Sequence, residues 1–134
     1  MIFFTDENIP KWAAYMLDIF DRDHNIRASV DYFDEGTKDE EWIRAVARWD
    51  DPVAVCGDGR ILKNRAERRV LKECGLMFVF LARGWTNLPW PDYAWKIVKV
   101  WPAIVKNVRQ VRYPVLFEVT PRLKIQLRCR ISDL

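Results

Sequence analysis

An α/β fold, with a mainly parallel sheet covered by helices on both faces, follows from three features of the sequence. Short apolar runs at Ile2-Phe3-Phe4, Val53-Ala54-Val55-Cys56 and Leu76 to Leu81 have the pattern of strands buried on both sides. Segments with apolar residues at helical spacing lie between them. Carboxylates and glycines follow the first and third runs directly, at the strand ends where open parallel sheets gather their ligands.

The first strand leads into Thr5-Asp6-Glu7-Asn8. Asn8 is placed as the N-cap of a helix with Pro10 in its first turn, and Ile9, Trp12, Ala13, Met16, Leu17 and Phe20 form its apolar stripe. Asp6 and Glu7 stand at the carboxyl end of the strand, although acids there also complement a helix N-terminus without any ligand. Polar Asp21 to Asn25 end the helix, and Ile26 to Val30 alternate like a second strand nearer the sheet edge. After a loop from Asp31 to Gly36, Thr37-Lys38-Asp39-Glu40 has the form of a capping box, with Trp42, Ile43, Val46 and Ala47 on one apolar face behind it.

The third strand ends at Gly57-Asp58-Gly59. Glycines permit close backbone approach and unusual dihedral angles, which would present Asp58 at an open crevice; an ordinary Asp-Gly turn uses the same residues. Asn64 caps a helix running to Cys74, with Glu67 at its third position and Gly75 as a left-handed stop. The fourth strand, Leu76 to Leu81, runs into a loop rich in proline and tryptophan from Arg83 to Pro91, whose rings suit either stacking on unpaired bases or packing over the core edge. Ala94, Ile97, Val98, Trp101, Ile104, Val105 and Val108 keep helical phase through Pro102, predicting one helix kinked near that proline. Val115 to Val119 reads as a strand and Thr120-Pro121 as a turn. Arg122 to Arg128 alternates, with Leu123, Ile125 and Leu127 on one face and Arg122, Lys124 and Arg128 on the other. Such a basic stripe either binds phosphate or guards an edge strand against aggregation.

Composition narrows the class. With 134 residues, half of them hydrophobic, and seven tryptophans, the chain is expected to form one globular domain over 1–134. Charges interrupt the apolar runs well before the ~20 residues of a membrane span, and the start lacks the pattern of a signal peptide, so a cytoplasmic protein without a membrane role is expected. Three widely spaced cysteines and a lone His24 argue against disulfides and zinc. Residues 1–67 hold nine Lys and Arg against fifteen Asp and Glu, and residues 68–134 hold thirteen against four. An acidic half suits a divalent cation and a basic half suits a polyanion, which together point to metal-dependent chemistry on nucleic acid.

Right-handed connections give a helix-covered parallel sheet in which the ends of the first and third strands carry Asp6, Glu7 and Asp58, a cluster of three or four carboxylates if these converge with acids of the second helix. Asp39, Glu40 and Glu41 open the second helix; one of them is expected to join this group, with Asp39 and Glu40 ahead of Glu41. Carboxylates ~4 Å apart repel by about 1 kcal/mol in water and about 4 kcal/mol at an intermediate dielectric, so such a cluster calls for a cation. Oxygen ligands without cysteine or histidine select Mg²⁺ or Mn²⁺.

Five blocks in order, Phe3 to Pro10, Gly36 to Ile43, Gly57 to Leu62, Gly84 to Pro89 and Trp101 to Val105, resemble the small PIN-like proteins related to VapC-type toxins. The resemblance covers residues 1–119 and leaves 120–134 as a basic β-strand tail. It implies a PIN-like α/β/α sandwich with a C-terminal β extension, and a Mg²⁺- or Mn²⁺-dependent endoribonuclease, often the toxin of a toxin–antitoxin pair with RNA and a cognate antitoxin as partners. By motif position Asp6 matches the family's first acid, Asp39 or Glu40 the second and Asp58 the third. Many PIN nucleases carry a fourth acid shortly after the third; here Gly59 and Arg60 follow, leaving Asn87 or water to complete the shell. Arg60, with Arg122, Lys124 and Arg128, is assigned to RNA. The tryptophans suit a homodimer interface.

Two other functions are compatible with parts of this pattern. A PIN-like module could bind RNA or an antitoxin without cutting. A phosphoacceptor receiver domain shares acids after the first and third strands, but it needs a lysine closing the fifth strand, where Thr120-Pro121 stands instead.

Overall fold

The computed structural model describes residues 1–134 as six strands in one sheet and four α-helices. In chain order these are β1 (Ile2–Thr5), α1 (Lys11–Phe20), β2 (Asn25–Ala28), α2 (Asp39–Val46), β3 (Pro52–Cys56), α3 (Arg65–Cys74), β4 (Met77–Leu81), α4 (Trp90–Gln110), β5 (Val115–Val119) and β6 (Ile125–Arg130). The strands lie in the order β2-β1-β3-β4-β5-β6, with β1 to β5 parallel and β6 antiparallel to β5. No helix is long and apolar enough to cross a membrane.

The period-two alternation of the central strands divides the interior into two cores. Phe3, Val53, Val55, Val79 and Phe117 pack with Ala13, Leu17, Ile97 and Ile104 of α1 and α4. Phe4, Ala54, Cys56, Phe78 and Leu116 pack with Trp42, Ile43, Val46, Val70 and Leu71 of α2 and α3. The result is the expected three-layer α/β/α sandwich. From β1 the chain turns outward to edge strand β2 and then returns across β1 to β3, so its connections diverge between β1 and β3. A crevice opens at the carboxyl ends of two strands related in this way.

Several local expectations change. Asn8 does not cap α1, because its backbone N–H and its side-chain amide both donate to Asp6; the helix starts later, with Pro10 at the N-cap position and no side-chain cap. Phe20 of the predicted stripe is 66% exposed, since the buried face of α1 is made by Ala13, Ala14 and Leu17. The capping box at Thr37 does not form: its hydroxyl donates to the Asp34 carbonyl, and α2 begins at Asp39 with Asp39, Glu40 and Glu41 all in the first turn. β2 stops at Ala28, and Ser29–Asp31 form a 3₁₀ turn. Asn64 does cap α3, accepting from the N–H groups of Ala66 and Glu67, and Gly75 closes it at φ 62°. α4 continues through Pro102. Of the loop tryptophans, Trp85 is wholly buried and donates to the Val119 carbonyl at 3.0 Å, whereas Trp90 is exposed.

The chain end departs furthest from simple alternation. Leu116 faces Cys129 but Phe117 faces Leu127, which makes Arg128 the extra residue of a β-bulge. Leu123 and Ile125 therefore pack with the α1/α4 layer, and Cys129 and Ile131 with the α2/α3 layer. The predicted basic stripe is broken up. Arg122 and Lys124 lie in the turn before β6, where Leu123 takes φ 65°, and Arg128 pairs with Glu118 at 3.0 Å.

The loops leaving β1 and β3 touch at one glycine. A Cβ on Gly57 would lie 2.5 Å from the backbone carbonyl atoms of Asn8, so close approach alone requires glycine there; its φ is not in the left-handed region. Gly57→Ala must push the loops apart, and a loss of about 1–3 kcal/mol is expected in chemical denaturation.

Candidate active site

Asp6 follows the last residue of β1, and its backbone N–H still donates to Val55 of β3 at 3.1 Å. Its side chain therefore points across the gap between the two strand ends. Asp6 Oδ1 accepts from the Gly57 N–H at 2.9 Å and from the Asn8 N–H at 3.2 Å, and Oδ2 accepts from Asn8 Nδ2 at 3.1 Å. The residue is 8% exposed. Burial raises its pKa to about 6, against these three hydrogen bonds, and the nearby charge of Asp58 adds to the rise.

Asp58 leaves β3 two residues later, in a local turn. Its Oδ1 accepts from the Arg60 N–H at 2.9 Å, while Oδ2 takes Arg60 Nε at 3.1 Å and Nη2 at 2.9 Å. Asp39, the first residue of α2, accepts from Trp42 Nε1 at 2.7 Å. That bond to a buried indole fixes the carboxylate on the inner side of the helix start. It is the member of the acidic trio that reaches the crevice. Glu40 and Glu41 are exposed and line no part of it.

These groups border one cavity of about 320 Å³, lined by Asp6, Glu7, Asn8, Asp39, Asp58, Arg60, Ile61, Asn64 and Glu67. Glu67 is the residue that sequence reasoning missed as a site acid. Its place in a helix's first turn had a sufficient structural explanation, yet Asn64 caps α3 alone and leaves the Glu67 carboxyl facing Asp39. Partial burial, the charge and hydrogen bonding of Asp39, and the charge of Glu40 raise the Glu67 pKa to about 7. The sequence did hold a signal: Glu67 stands nine positions after Asp58, at the start of the helix that leaves the same strand end.

Other predicted residues lie elsewhere. Asn87 is exposed at the end of a turn after β4, and Arg122, Lys124 and Arg128 border no part of the cavity. Tyr93, buried near Asp6 at the start of α4, has a hydroxyl without a hydrogen-bond partner, and burial and the Asp6 charge both hold that proton on. The largest cavity, about 780 Å³, opens beside Met1, His24, Gly75 and Pro114; exposed Asp23 and Asp51 are its acids. His24 there is held by Asp21 at 3.0 Å and packs edge-on to Phe3.

The donor chemistry of the acidic cavity is uniform. Asp6, Asp39, Asp58 and Glu67 offer oxygen only, a set that suits hard divalent cations. The one sulfur nearby, Cys56, is fully buried, and burial together with the charges of Asp6, Asp39 and Asp58 keeps it a thiol. No three of the carboxylates converge on a common point as a ready-made cage. Their present partners are protein donors: Gly57 and Asn8 for Asp6, Trp42 for Asp39 and Arg60 for Asp58.

Folded Asp6 keeps its proton up to about pH 6, whereas an ordinary aspartate loses it near 3.8. The folded state therefore binds more protons than the unfolded one in that window, so Asp6 lowers stability as pH rises from about 4 to 6, by on the order of 3 kcal/mol. In EDTA, Asp6→Asn is expected to gain stability relative to wild type across that window, and the gain should hold above it. Denaturation midpoints of both proteins between pH 4 and 7.5 check this; a constant difference would contradict it.

No curated protein matches the chain, and no solved structure does. The family model of the PIN-like domain matches residues 1–83, from β1 through β4 and so across Asp6, Asp39, Asp58 and Glu67. PIN-like domains are generally nucleases. With more than half its length matched and an α/β sandwich of the corresponding kind, this chain belongs to the PIN-like domain family.

Proposed function

We propose that the protein is a Mg²⁺- or Mn²⁺-dependent endoribonuclease, and that it acts as the toxin of a VapBC-like toxin–antitoxin pair. The observation that carries the nuclease reading is the gathering of Asp6, Asp39, Asp58 and Glu67 around one cavity where the connections of β1 and β3 diverge. Asp6, Asp39 and Asp58 hold the cation, and Glu67 serves as the fourth acid that the sequence lacks directly after Asp58. A bound cation would ease deprotonation of water and offset charge on a phosphodiester and its leaving oxygen.

The chain's own groups have distinct tasks in this reading. Gly57 and Asn8 aim the Asp6 carboxylate, as partners outside the ligand shell commonly do. Arg60, now paired with Asp58, is 78% exposed at the rim and is free to turn to a phosphate once a cation takes that carboxylate. Glu67, whose pKa is raised to about 7 by partial burial and by the Asp39 charge, would give up its proton on binding a cation near neutral pH. RNA and an antitoxin protein are the proposed partners. Exposed Trp12, Tyr15, Ile19 and Phe20 on α1 offer apolar surface for a protein contact with the antitoxin or with a second copy.

A second reading, a weakly active or inactive module that binds RNA or an antitoxin, is favoured by one observation. Arg60 already pairs with Asp58, and no three of the acids converge on a common point. The receiver-domain reading has no support, because no lysine lines the cavity.

The separating experiment is cleavage of a mixed-sequence single-stranded RNA in Mn²⁺, with EDTA and an identically purified Asp6→Asn, Asp58→Asn variant beside it. Wild type should cut only with metal, and the variant should lose more than the about 10–100-fold typical of changes outside the ligand shell. Equal cutting by both, or binding without cutting, would move the assignment to the binding module. Mn²⁺ titration by calorimetry in buffers of different ionisation enthalpy provides an independent check. Binding near pH 6.5 should release protons, and Glu67→Gln should release fewer; equal release would remove Glu67 from the site.

A further inference from the structure

Four cations of α3 share one face. Arg65, Arg68, Arg69 and Lys72 stand at i, i+3, i+4 and i+7, opposite buried Val70 and Leu71. With Leu134 they line a shallow cavity of about 370 Å³ that no carboxylate side chain borders. None of the four is in an ion pair, although Glu73 on the same helix pairs with Arg44 and the chain's other pairs are formed elsewhere. No salt bridge within the chain relieves the repulsion among four such charges within ~10 Å of helix.

The same helix carries the acid at the proposed cutting centre. Asn64 and Glu67, at the start of α3, border the acidic cavity, and Arg60, which precedes the helix, stands at its rim. The acids and the cationic face are thus fixed relative to each other by one rigid element. Arg65, the first of the cations, directly follows Asn64, which borders the acidic cavity, so the cationic face begins at the helix end where the acids lie. Arg122 and Lys124, by contrast, lie on the turn between β5 and β6 and border neither cavity.

We propose that the Arg65-Arg68-Arg69-Lys72 face of α3 is the binding track for the phosphate backbone of single-stranded RNA, running away from the acidic cavity. The proposal rests on the nuclease reading for the identity of the polyanion. It assigns the RNA contacts mainly to α3 in place of the β-strand tail. Binding of this kind is independent of base sequence and salt-sensitive, with log affinity falling by about 0.7 per neutralised phosphate for each tenfold rise in salt.

The test is fluorescence anisotropy with a labelled mixed-sequence RNA of roughly a dozen nucleotides, in EDTA so that nothing is cut. It compares wild type, the variant Arg65→Gln, Arg68→Gln, Arg69→Gln, Lys72→Gln, and the control Arg122→Gln, Lys124→Gln. The α3 variant should bind at least about tenfold more weakly at low salt, with its salt slope flattened by about 0.7 for each phosphate that is no longer neutralised, and the control should match wild type. Should the fourfold variant misfold by circular dichroism, Arg65→Gln, Lys72→Gln should show the same change at about half size. An unchanged slope in the α3 variants overturns the track, as does equally tight competition by polyglutamate, which would mark the face as a site for an acidic protein. Wild-type binding without cleavage in Mn²⁺ would sink the nuclease reading and leave the track standing; cleavage with unaltered α3-variant binding would do the reverse.

Discussion

The arrangement depends on one buried carboxylate. Asp6 is bonded to the Gly57 N–H, and this contact joins the ends of β1 and β3 where the chain's connections part. Its burial is unfavourable for the charged form, as the rise to about 6 expresses, and three N–H donors only partly offset that cost. Structures retain such a group where its removal from water serves a purpose, and perturbed carboxyls in a cleft are candidates for function. Gly57 is part of the same constraint, since any side chain there would enter the Asn8 backbone.

Around this bond the sandwich distributes charge unevenly. The acids come from separate parts of the sequence, the ends of β1 and β3 and the starts of α2 and α3, and meet on one side of the sheet. Acidic residues in the first turns of helices complement the helix dipoles. The Asp39 charge, added to partial burial, raises the Glu67 pKa to about 7. The cations remain outside. α3 faces the acids with Glu67 and solvent with its arginines, so it separates the two signs while holding them within a few turns of each other.

The two edges of the sheet are closed differently. β2 is short and parallel, while β6 reverses direction and carries a bulge at Arg128. The bulge lets a chain with apolar residues at every second position supply Ile125 to one core and Ile131 to the other. Arg128 is used by Glu118 on the neighbouring strand, which leaves less of the tail's positive charge for a ligand.

Most of the fold was determined by local pattern. Uncharged β-branched runs alternating with helical periodicity specify a parallel sheet between helix layers, and Asn64 and Gly75 mark the ends of α3 because their roles depend only on adjacent backbone. Asp6 and Asp58 were legible as site residues because each closely follows a buried strand. Where polar side chains choose among partners, tertiary structure decided. Asn8 serves Asp6 and not a helix N-terminus, and Thr37 serves Asp34 and not a capping box, because hydrogen-bond competition is settled by three-dimensional proximity. Glu67 and the cationic face opposite the buried side of α3 acquired meaning only once the helix was docked, since one helical period fixes which residues share a face but not what that face meets. The bulge likewise had no signature in an alternating sequence, because a one-residue shift in pairing exchanges the faces without changing the pattern.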